Sequence, residues 1–396
     1  MSTQNPIFIP GPTNMPEELR RAVDYPSIDH RSPVFVEMLK PVLDGVKRIL
    51  KTREGETIVF PATGTGAWEA AVTNTLSPGD TVLVTRHGMF SHRWIDLCNR
   101  QGLNVQVIEE EWGRGAPADR IEAALTADRT HAIRAVLVTH NETSTGVRSD
   151  VAAVRRAIND ASHPAMLFVD GVSSIASMDF RMDEWGVDIA ITGSQKGFML
   201  PAGLSILGIS PKAKDAMASA KCRRCFFDFR DMLRSYESNG FPYTPPVNLI
   251  RGLDHSIRML EAEGLDNVFA RHYRIAEGVR RAIAAWGLPL CAKEPELYSD
   301  TVSTVVTQPG LDGTRVVTHA ASKYGVAFGV GLGDVAGKVF RIGHLGSMTD
   351  VMALSGVATA EMVMADLDLP VRLGSGVAAA QDYYRNSLNM IETKAA

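Results

Sequence analysis

Cysteine is scarce in this chain, with four residues among 396. So few thiols in a chain of this length argue against a disulfide framework and fit a reducing compartment. Cys222 and Cys225 form a CxxC pair, an arrangement found in zinc sites and in redox centres. A zinc site would need a second pair of ligands at matching spacing, whereas Cys98 and Cys291 lie singly and far away along the chain. We therefore interpret Cys222 and Cys225 as ordinary thiols in preference to a metal site or a redox pair.

Long apolar runs and an excess of positive charge are also missing. No run approaches the roughly 20 apolar residues needed to span a bilayer, and the first residues lack the basic and apolar regions of a signal peptide. The formal net charge of −4 offers no basic surface to nucleic acid or to a membrane. The composition, 45% hydrophobic and 22% charged, is that of an ordinary enzyme. We expect a cytoplasmic protein of about two domains that binds small molecules.

Short β-branched runs alternate with helical segments through the first part of the chain. The stretch 150–160, for example, carries apolar residues at helical spacing. Strands that are apolar on both faces and alternate with helices predict a mostly parallel sheet covered on both sides, an α/β fold. The predicted strands are 81–86, 104–109, 135–140, 165–170, 188–194 and 204–210.

The pattern changes after about residue 260. A helix, several strands and a further helix follow one another there, which is typical of a smaller α+β domain. We expect an N-terminal arm over 1–20, a large domain over 21–260 and a small C-terminal domain over 261–396. The helices predicted in this last part are 265–287 and 351–367, and the strands are 301–308, 324–331 and 338–346.

Several predicted strands end in polar or ionisable residues. Asp170 ends one strand, and Lys196 follows the next. In open α/β sheets the ligand crevice lies at the carboxyl ends of the strands, so these groups are expected to face one site. Pyridoxal phosphate requires such a pair, because a lysine amine forms its Schiff base and an acid keeps its pyridine nitrogen protonated. A buried salt bridge between Asp170 and Lys196 is the alternative.

Two glycine-containing segments match the general form of a binding site for phosphate groups. In 61–76 a glycine turn over 63–65 precedes a helix that we expect to begin near Gly66, and the turn would present backbone N–H groups to an anion. A plain turn is the alternative. The segment 331–336 satisfies a dinucleotide-binding pattern, but a predicted strand follows it where a helix would be required. We interpret 331–336 as a loop.

Seven motifs occur in an order that is more specific than any one of them. They are PGPTNMP (10–16), ATGTGAWEA (62–70), GMFSHRW (88–94), HNETSTGV (140–147), FVDGVSS (168–174), TGSQKG (192–197) and FRIGHLG (340–346). Together they resemble the class V aminotransferases of pyridoxal-phosphate fold type I, in particular the enzymes that act on serine, alanine or aspartate with glyoxylate. The resemblance covers nearly the whole chain. It implies a large domain with a mostly parallel seven-stranded sheet and a smaller C-terminal α+β domain.

The resemblance assigns roles to the residues of the predicted site. It makes Lys196 the Schiff-base residue and Asp170 the partner of the pyridinium nitrogen. Val172 and Phe90 would cover the two faces of the cofactor ring, although some relatives have tryptophan at the position of Phe90. The remaining cofactor contacts would be made to the phosphate or the phenolic oxygen by Thr63, Gly64, Thr65, Thr143 and Gln195.

Substrate and partner contacts also follow from the resemblance. Arg341 in the FRIG motif would bind the α-carboxylate of the substrate through its bidentate guanidinium. The family is homodimeric with active sites shared between subunits. The segment 240–246 matches the part of the chain that reaches the neighbour's phosphate, which nominates Thr244 together with Tyr243 and Phe241.

The implied reaction moves an amino group from a small L-amino acid to glyoxylate, giving glycine and a 2-oxo acid. His30 and Arg31 match positions that face the substrate side chain in related enzymes, so a cation there favours aspartate as the donor, ahead of serine and then alanine. A lyase or cysteine desulfurase of the same fold is the alternative, but Cys291 does not lie in a glycine-rich loop as a mobile catalytic cysteine would. A protein without activity would be expected to lose Lys196 or Asp170, and both are present.

Overall fold

The computed structural model describes residues 6–238 and 240–392, and strands alternate with helices over 56–139. The strands are β1 (Ile7–Phe8), β2 (Glu56–Phe60), β3 (Thr81–Arg86), β4 (Asn104–Glu109), β5 (Ile133–Thr139), β6 (Asn141–Glu142), β7 (Val147–Arg148), β8 (Met166–Asp170), β9 (Ile189–Gly193), β10 (Ser205–Ile209), β11 (Val302–Val306), β12 (Ala327–Val330) and β13 (Val339–Gly343). The α-helices are α1 (Glu17–Val23), α2 (Pro33–Leu50), α3 (Gly64–Thr75), α4 (Met89–Arg100), α5 (Ala118–Ala127), α6 (Val151–Asp160), α7 (Pro211–Ala216), α8 (Phe229–Glu237), α9 (Val247–Glu263), α10 (Leu265–Ala285), α11 (Gly313–His319), α12 (Asp350–Asp366) and α13 (Ser375–Glu392). Single 3-10 turns cover Pro295–Leu297 and Gly333–Val335, and a π-helical turn covers Ala320–Tyr324.

The larger sheet has seven strands in the order β2-β10-β9-β8-β5-β3-β4. Strands β9, β8, β5, β3 and β4 run parallel to one another, while β10 is antiparallel to both of its neighbours. Helices α4, α5 and α6 supply crossovers between parallel strands, whereas turns over 171–188 connect β8 to β9. The mostly parallel seven-stranded sheet that the sequence predicts is therefore confirmed.

Both faces of the central strands β5, β8 and β9 are buried. Successive residues of β5 point to opposite sides, so Val136 and Val138 join one apolar core while Ala135 and Leu137 join the other. Removing an aliphatic side chain of the size of valine or leucine from water contributes about 1.5–3 kcal/mol. Helices on both sides make this gain available to every residue of the strand, which explains why the predicted strands are continuously apolar.

The smaller sheet has four strands in the order β1-β12-β13-β11. Its three C-terminal strands lie within the segments predicted for them, and β13, for example, falls inside 338–346. Strand β1 pairs parallel with β12, with Ile7 opposite Ala327. The arm predicted over 1–20 thus contributes a strand to the sheet of the C-terminal part, while the domain limits themselves stay a prediction.

Some expectations concern features away from the sheets. All four cysteines are free thiols, with Cys222 buried and Cys225 exposed. Among the residues that the structure describes, no three metal-ligating side chains form a group that could hold an ion. Over 6–238 and 240–392, no helix combines the length and apolar character needed to cross a membrane. The segment 331–336 forms a short turn between β12 and β13, in agreement with its interpretation as a loop.

Candidate active site

A cavity of about 280 Å³ opens at the carboxyl edge of the large sheet. Strands β2, β5, β8 and β9 end at this edge because they run in the same direction. The cavity is lined by every residue that the sequence assigns to the cofactor within one subunit, namely Thr63, Gly64, Thr65, Phe90, Thr143, Asp170, Val172, Gln195 and Lys196. The structure thus brings these residues together, while their individual roles stay predictions.

The start of helix α3 forms one end of the cavity. The helix begins at Gly64, earlier than the predicted start near Gly66, because Thr63 is the extended residue that precedes it. Gly64 and Thr65 therefore belong to the first turn, whose N–H groups lack partners within the helix and carry partial positive charge. A Cβ atom at Gly64 would lie 2.6 Å from Val172 Cγ2, so only glycine fits against this wall. This end of the cavity suits a phosphate group.

Lys196 lies in a confined position and is 9% exposed. Its Nζ donates a hydrogen bond to the main-chain oxygen of Pro10. Burial lowers the pKa of the amine to about 8, and the nearby charge of Arg341 acts in the same direction. A Cβ atom at Gly11 would lie 2.5 Å from Lys196 Cδ, so the N-terminal segment packs directly on this side chain. An amine with a lowered pKa is partly neutral near neutral pH and can act as a nucleophile or a base.

Asp170 ends β8 and is 4% exposed. Its Oδ1 accepts a 2.9 Å hydrogen bond from the main-chain N–H of Val172. Burial raises the pKa of the carboxyl to about 7. Within the described residues Asp170 makes no salt bridge, so the alternative of a structural ion pair with Lys196 is not realised. A buried acid with so few partners is stabilised by a cationic N–H donor, which a protonated pyridine nitrogen provides.

Thr143 and Gln195 lie between these two ends of the cavity. The hydroxyl oxygens of Thr143 and Ser173 are 2.7 Å apart and share a hydrogen bond. The Oε1 atom of Gln195 is buried, and it has no hydrogen-bond partner in the part of the chain that the structure describes. Leaving a buried acceptor unpaired costs about 1–3 kcal/mol. The region therefore fits a ligand that carries a hydrogen-bonding group on its ring.

Arg341 in β13 connects the small sheet to the cavity and is 6% exposed. Its Nη1 donates to the main-chain oxygen of Thr143 at 3.0 Å, and its Nε donates to that of Val330 at 2.8 Å. Burial lowers its pKa to about 10, so the guanidinium is charged at neutral pH. Although Arg341 does not line the cavity, its bond to Thr143 places it at the rim. No carboxylate of the described residues forms a salt bridge with it, so the charge is available to a substrate carboxylate.

The two residues predicted to face the substrate side chain lie outside the cavity of the subunit. The Nδ1 atom of His30 is 3.9 Å from Asp29 Oδ1. Arg31 is exposed, and its main-chain N–H donates to the same carboxylate at 2.9 Å. The structure of one subunit therefore does not bring His30 or Arg31 to Lys196, and their substrate contacts stay a prediction.

The residues predicted to reach a neighbouring subunit also lie outside the cavity. Tyr243 stacks on Phe226 with ring centroids 4.4 Å apart, and its hydroxyl donates to the main-chain oxygen of the same residue. Phe241 packs on Phe35, and Thr244 is exposed. An exposed position is the one that a contact with another subunit requires.

Five lining residues carry no role in the sequence prediction, namely Gly11, Pro12, Trp68, Ser173 and Ala202. All but Ala202 belong to the motifs on which the resemblance depends, and membership in those motifs was the signal that could have identified them. Nothing local in the sequence indicates that Gly11 folds back against Lys196, because this contact joins opposite parts of the chain.

The cavity combines a group for each part of one cofactor. These groups are a helix start for an anion, an acid for a ring nitrogen, a buried lysine amine and an arginine at the rim. In this fold they define a pyridoxal-phosphate enzyme of fold type I. A model of the family described as aminotransferase class-V matches residues 22–337. The chain belongs to the class V aminotransferases.

Relatives support this membership over the full length. The chain is 67% identical over 396 residues to an L-aspartate–glyoxylate aminotransferase of Paracoccus denitrificans, with 100% of each chain covered. It is 53% identical over 380 residues to a serine–glyoxylate aminotransferase of Hyphomicrobium methylovorum, which covers 96% of this chain and 94% of that one. The crystal structure of a pyridoxamine–pyruvate aminotransferase from Mesorhizobium loti matches with a TM-score of 0.91 at 25% identity, covering 98% of both chains.

As a member of this family, the chain is an aminotransferase that depends on pyridoxal phosphate. When bound, the cofactor supplies an electron sink that makes loss of a proton from an amino-acid Cα feasible. The residues of the cavity fit this group: Gly64 and Thr65 would hold the phosphate, Asp170 would pair with the ring nitrogen, and Lys196 would bind the aldehyde carbon.

Proposed function

We propose that this aminotransferase moves the amino group of a small L-amino acid, aspartate or serine, to glyoxylate and so produces glycine and a 2-oxo acid. The observation that carries the proposal is the 67% identity over the full length to an L-aspartate–glyoxylate aminotransferase. The serine–glyoxylate enzyme at 53% identity supports the same acceptor with serine as the donor. A different donor, such as alanine, is the alternative.

The dimensions of the site support a small acceptor. Glyoxylate has little beyond its carboxylate, and the cavity of about 280 Å³ must hold the cofactor as well. Arg341 offers a charged guanidinium at the rim, which matches a carboxylate in geometry and charge. A two-carbon acid that is anchored mainly by one arginine therefore fits this cavity.

Each residue would hold a group or move a proton. Arg341 would bind the α-carboxylate and so orient the substrate over Lys196. Lys196, with its lowered pKa, would remove the proton from Cα of the donor and return a proton to the nitrogen-bearing carbon of the acceptor. Asp170 would hold the proton on the ring nitrogen. Closure of Phe90 and Val172 over the ring would exclude water from these transfers.

A homodimer with shared sites is the assembly that we propose. Lys196 is the sole basic side chain among the residues that line the cavity, so a doubly charged phosphate would gain from donors on another subunit. Thr244 is exposed and free to reach such a neighbour. Arg31 lies outside its own cavity, so its proposed role in favouring aspartate depends on the same assembly.

A cysteine desulfurase is disfavoured by the position of the thiols. Cys291 is 7% exposed, and burial raises its pKa to about 11, which suppresses the nucleophilic thiolate. In the described residues, no cysteine lines the cavity that contains Lys196. The chain therefore lacks a thiol placed for sulfur transfer.

The proposal is tested by separating the two halves of the reaction. The protein is loaded with pyridoxal phosphate, and the visible absorbance of the cofactor is followed after adding L-aspartate, L-serine, L-alanine or L-cysteine. Loss of the band with aspartate or serine, and its return with glyoxylate as glycine accumulates, is the expected result. Pyruvate and 2-oxoglutarate are the control acceptors. Equal turnover with either of them, or conversion by alanine alone, would contradict the assignment.

A further inference from the structure

Glu142 is an acid for which the reaction described above has no use. It ends the short strand β6, next to Thr143, and its exposed fraction is 0%. In the part of the chain that the structure describes, no lysine, arginine or histidine lies within salt-bridge distance of its carboxylate. A buried charge without a cationic partner is costly unless hydrogen bonds replace the lost water. The position of Glu142 therefore requires another source of stabilisation.

Helix α4 provides that stabilisation. The Oε2 atom of Glu142 accepts hydrogen bonds from the main-chain N–H groups of Phe90 at 3.1 Å and Ser91 at 3.0 Å. The Oε1 atom accepts from the main-chain N–H of Ser144 at 3.1 Å and from its hydroxyl at 2.7 Å. The carboxylate thus caps the first turn of α4, where the helix dipole favours negative charge. Both oxygens accept from backbone N–H groups and also from a serine hydroxyl, that of Ser144 on Oε1 and that of Ser91 on Oε2.

Gly88 gives Glu142 the space to reach the helix. A Cβ atom at Gly88 would lie 2.2 Å from Glu142 Cγ and 2.3 Å from Cδ. The φ angle of Gly88 is 174°, an extended conformation that any residue can adopt, so glycine is required here for space and not for backbone freedom. The approach of the carboxylate to the helix is consequently close and fixed.

Two residues that Glu142 contacts or adjoins line the cofactor cavity. Phe90 belongs to α4, whereas Thr143 follows Glu142 in the chain, and both contact the cavity. The main-chain oxygen of Thr143 also accepts from Arg341. Burial is the main cause of the raised pKa of Asp170 and of the lowered pKa of Arg341, and the negative charge of Glu142 adds to the first shift and opposes the second. The Glu142 carboxylate is thus linked by hydrogen bonds or by the adjacent peptide to Phe90, to Thr143 and, through Thr143, to Arg341.

We propose that Glu142 is a positioning residue that holds Phe90 and Thr143 against the cofactor and thereby sets the affinity for pyridoxal phosphate. The proposal rests on the cofactor site assigned above. Glu142 is not among the described residues that line the cavity, so it would act through the start of α4.

The substitution Glu142→Gln tests this role with almost no change in size. Glutamine has a single acceptor oxygen, so its NH2 group must face a backbone N–H group that now receives a carboxylate oxygen. We expect the dissociation constant of pyridoxal phosphate to rise roughly tenfold or more, because a charge-assisted buried hydrogen bond is lost. The absorption maximum of the bound cofactor is expected to shift as well, since Phe90 changes position over the ring.

Glu361 provides the matched control. It is 2% exposed and likewise accepts from backbone N–H groups, those of Gly374 and Gly376, but it lies in α12, away from the cavity. Glu361→Gln should lower the midpoint of thermal unfolding and leave the cofactor affinity and spectrum unchanged. If Glu142→Gln behaves in the same way, the role of Glu142 is purely structural and the proposal is wrong.

Gly88→Ala keeps every charge but displaces the Glu142 carboxylate. It therefore tests the same role if the Glu142→Gln protein fails to fold. Weaker cofactor binding by folded Gly88→Ala protein supports the proposal, and unchanged binding overturns it. Failure of the unsubstituted protein to bind pyridoxal phosphate would instead contradict the cofactor site itself, and the two failures are therefore distinguishable.

Discussion

Burial acts in opposite directions on the two ionisable residues of the cavity. Both Asp170 and Lys196 are more than nine-tenths buried, and loss of water disfavours the charged form of each. The pKa of the acid is consequently raised to about 7 and that of the amine is lowered to about 8. The cavity therefore contains a proton donor and a proton acceptor that can both operate near neutral pH.

The raised pKa of Asp170 predicts how the cofactor-free protein responds to pH. The folded value of about 7 exceeds the ordinary 3.8, so the protonated acid contributes stability that is fully present below pH 3.8. This contribution is lost as the pH rises through about 7. Asp170→Asn cannot lose a proton, so it keeps its stability as the pH rises while the unsubstituted chain loses some. In urea unfolding of the cofactor-free protein, the free energy of unfolding of the variant minus that of the unsubstituted chain should therefore increase from pH 5 to pH 7.5.

Pyridoxal phosphate provides the control for this measurement. A protonated ring nitrogen would pair with the charged form of Asp170, so in the loaded protein Asp170→Asn should be the less stable of the two at pH 7.5. A difference that is independent of pH in the cofactor-free protein would show that Asp170 does not titrate in this window.

At the level of secondary-structure elements, the sequence predicts the buried strands well. Segment 81–86 matches β3 at both ends, and β8 starts one residue after the predicted position. A strand buried on both faces needs a continuous apolar run, and its ends are marked by the return of polar residues. Local pattern and tertiary environment agree in these strands, which is why the prediction succeeds.

Elements whose position depends on distant contacts could not be predicted in the same way. Strand β1 is two residues long and gains its place only by pairing with β12, at the other end of the chain. The antiparallel direction of β10 depends on how the chain turns back after Lys196, and no periodicity encodes it. The roles assigned to the site residues stay predictions that depend on motif resemblance, since spacing alone left the Asp170–Lys196 pair open to a structural interpretation.

The start of helix α3 makes a testable prediction about the phosphate. Gly64→Ala would place a Cβ atom against Val172 and push the first turn of α3 away from the cavity. We expect the dissociation constant of pyridoxal phosphate to rise about tenfold, equivalent to roughly 1.4 kcal/mol, as measured by absorbance titration. Substituting alanine for Val172 in addition should recover part of the affinity, and no recovery would mean that the loss has another cause.

At the scale of the whole molecule, residues from the segments of both sheets lie at or next to the cavity. Lys196 and Asp170 come from the large sheet, and Arg341 comes from the small sheet. The segment after β1 runs from the small sheet to Lys196, where Pro10 accepts the hydrogen bond of the amine. The structure thus connects Arg341 to the cavity by its contact to Thr143, and the small sheet to Lys196 by the N-terminal segment.

The proposed shared site makes a prediction for mixed dimers. If Thr244 serves the neighbouring cavity, a dimer of one Lys196→Ala subunit and one Thr244→Ala subunit contains one complete site. The two variants are mixed under conditions that exchange subunits. The activity per Lys196-containing subunit should then exceed that of the Thr244→Ala protein alone. Light scattering would verify the dimer. No gain on mixing would place Thr244 in its own subunit's site or remove it from the site.

The central claim is that Lys196 carries pyridoxal phosphate in the cavity at the edge of the large sheet, and peptide mass analysis after borohydride reduction tests it most directly. Reduction fixes the cofactor to the lysine that holds it. The predicted result for the unsubstituted protein is a single modified peptide, which contains Lys196. In Lys196→Ala both this modification and the visible absorbance band should be lost. A modification on another lysine, or an unchanged absorbance band in Lys196→Ala, would contradict the account.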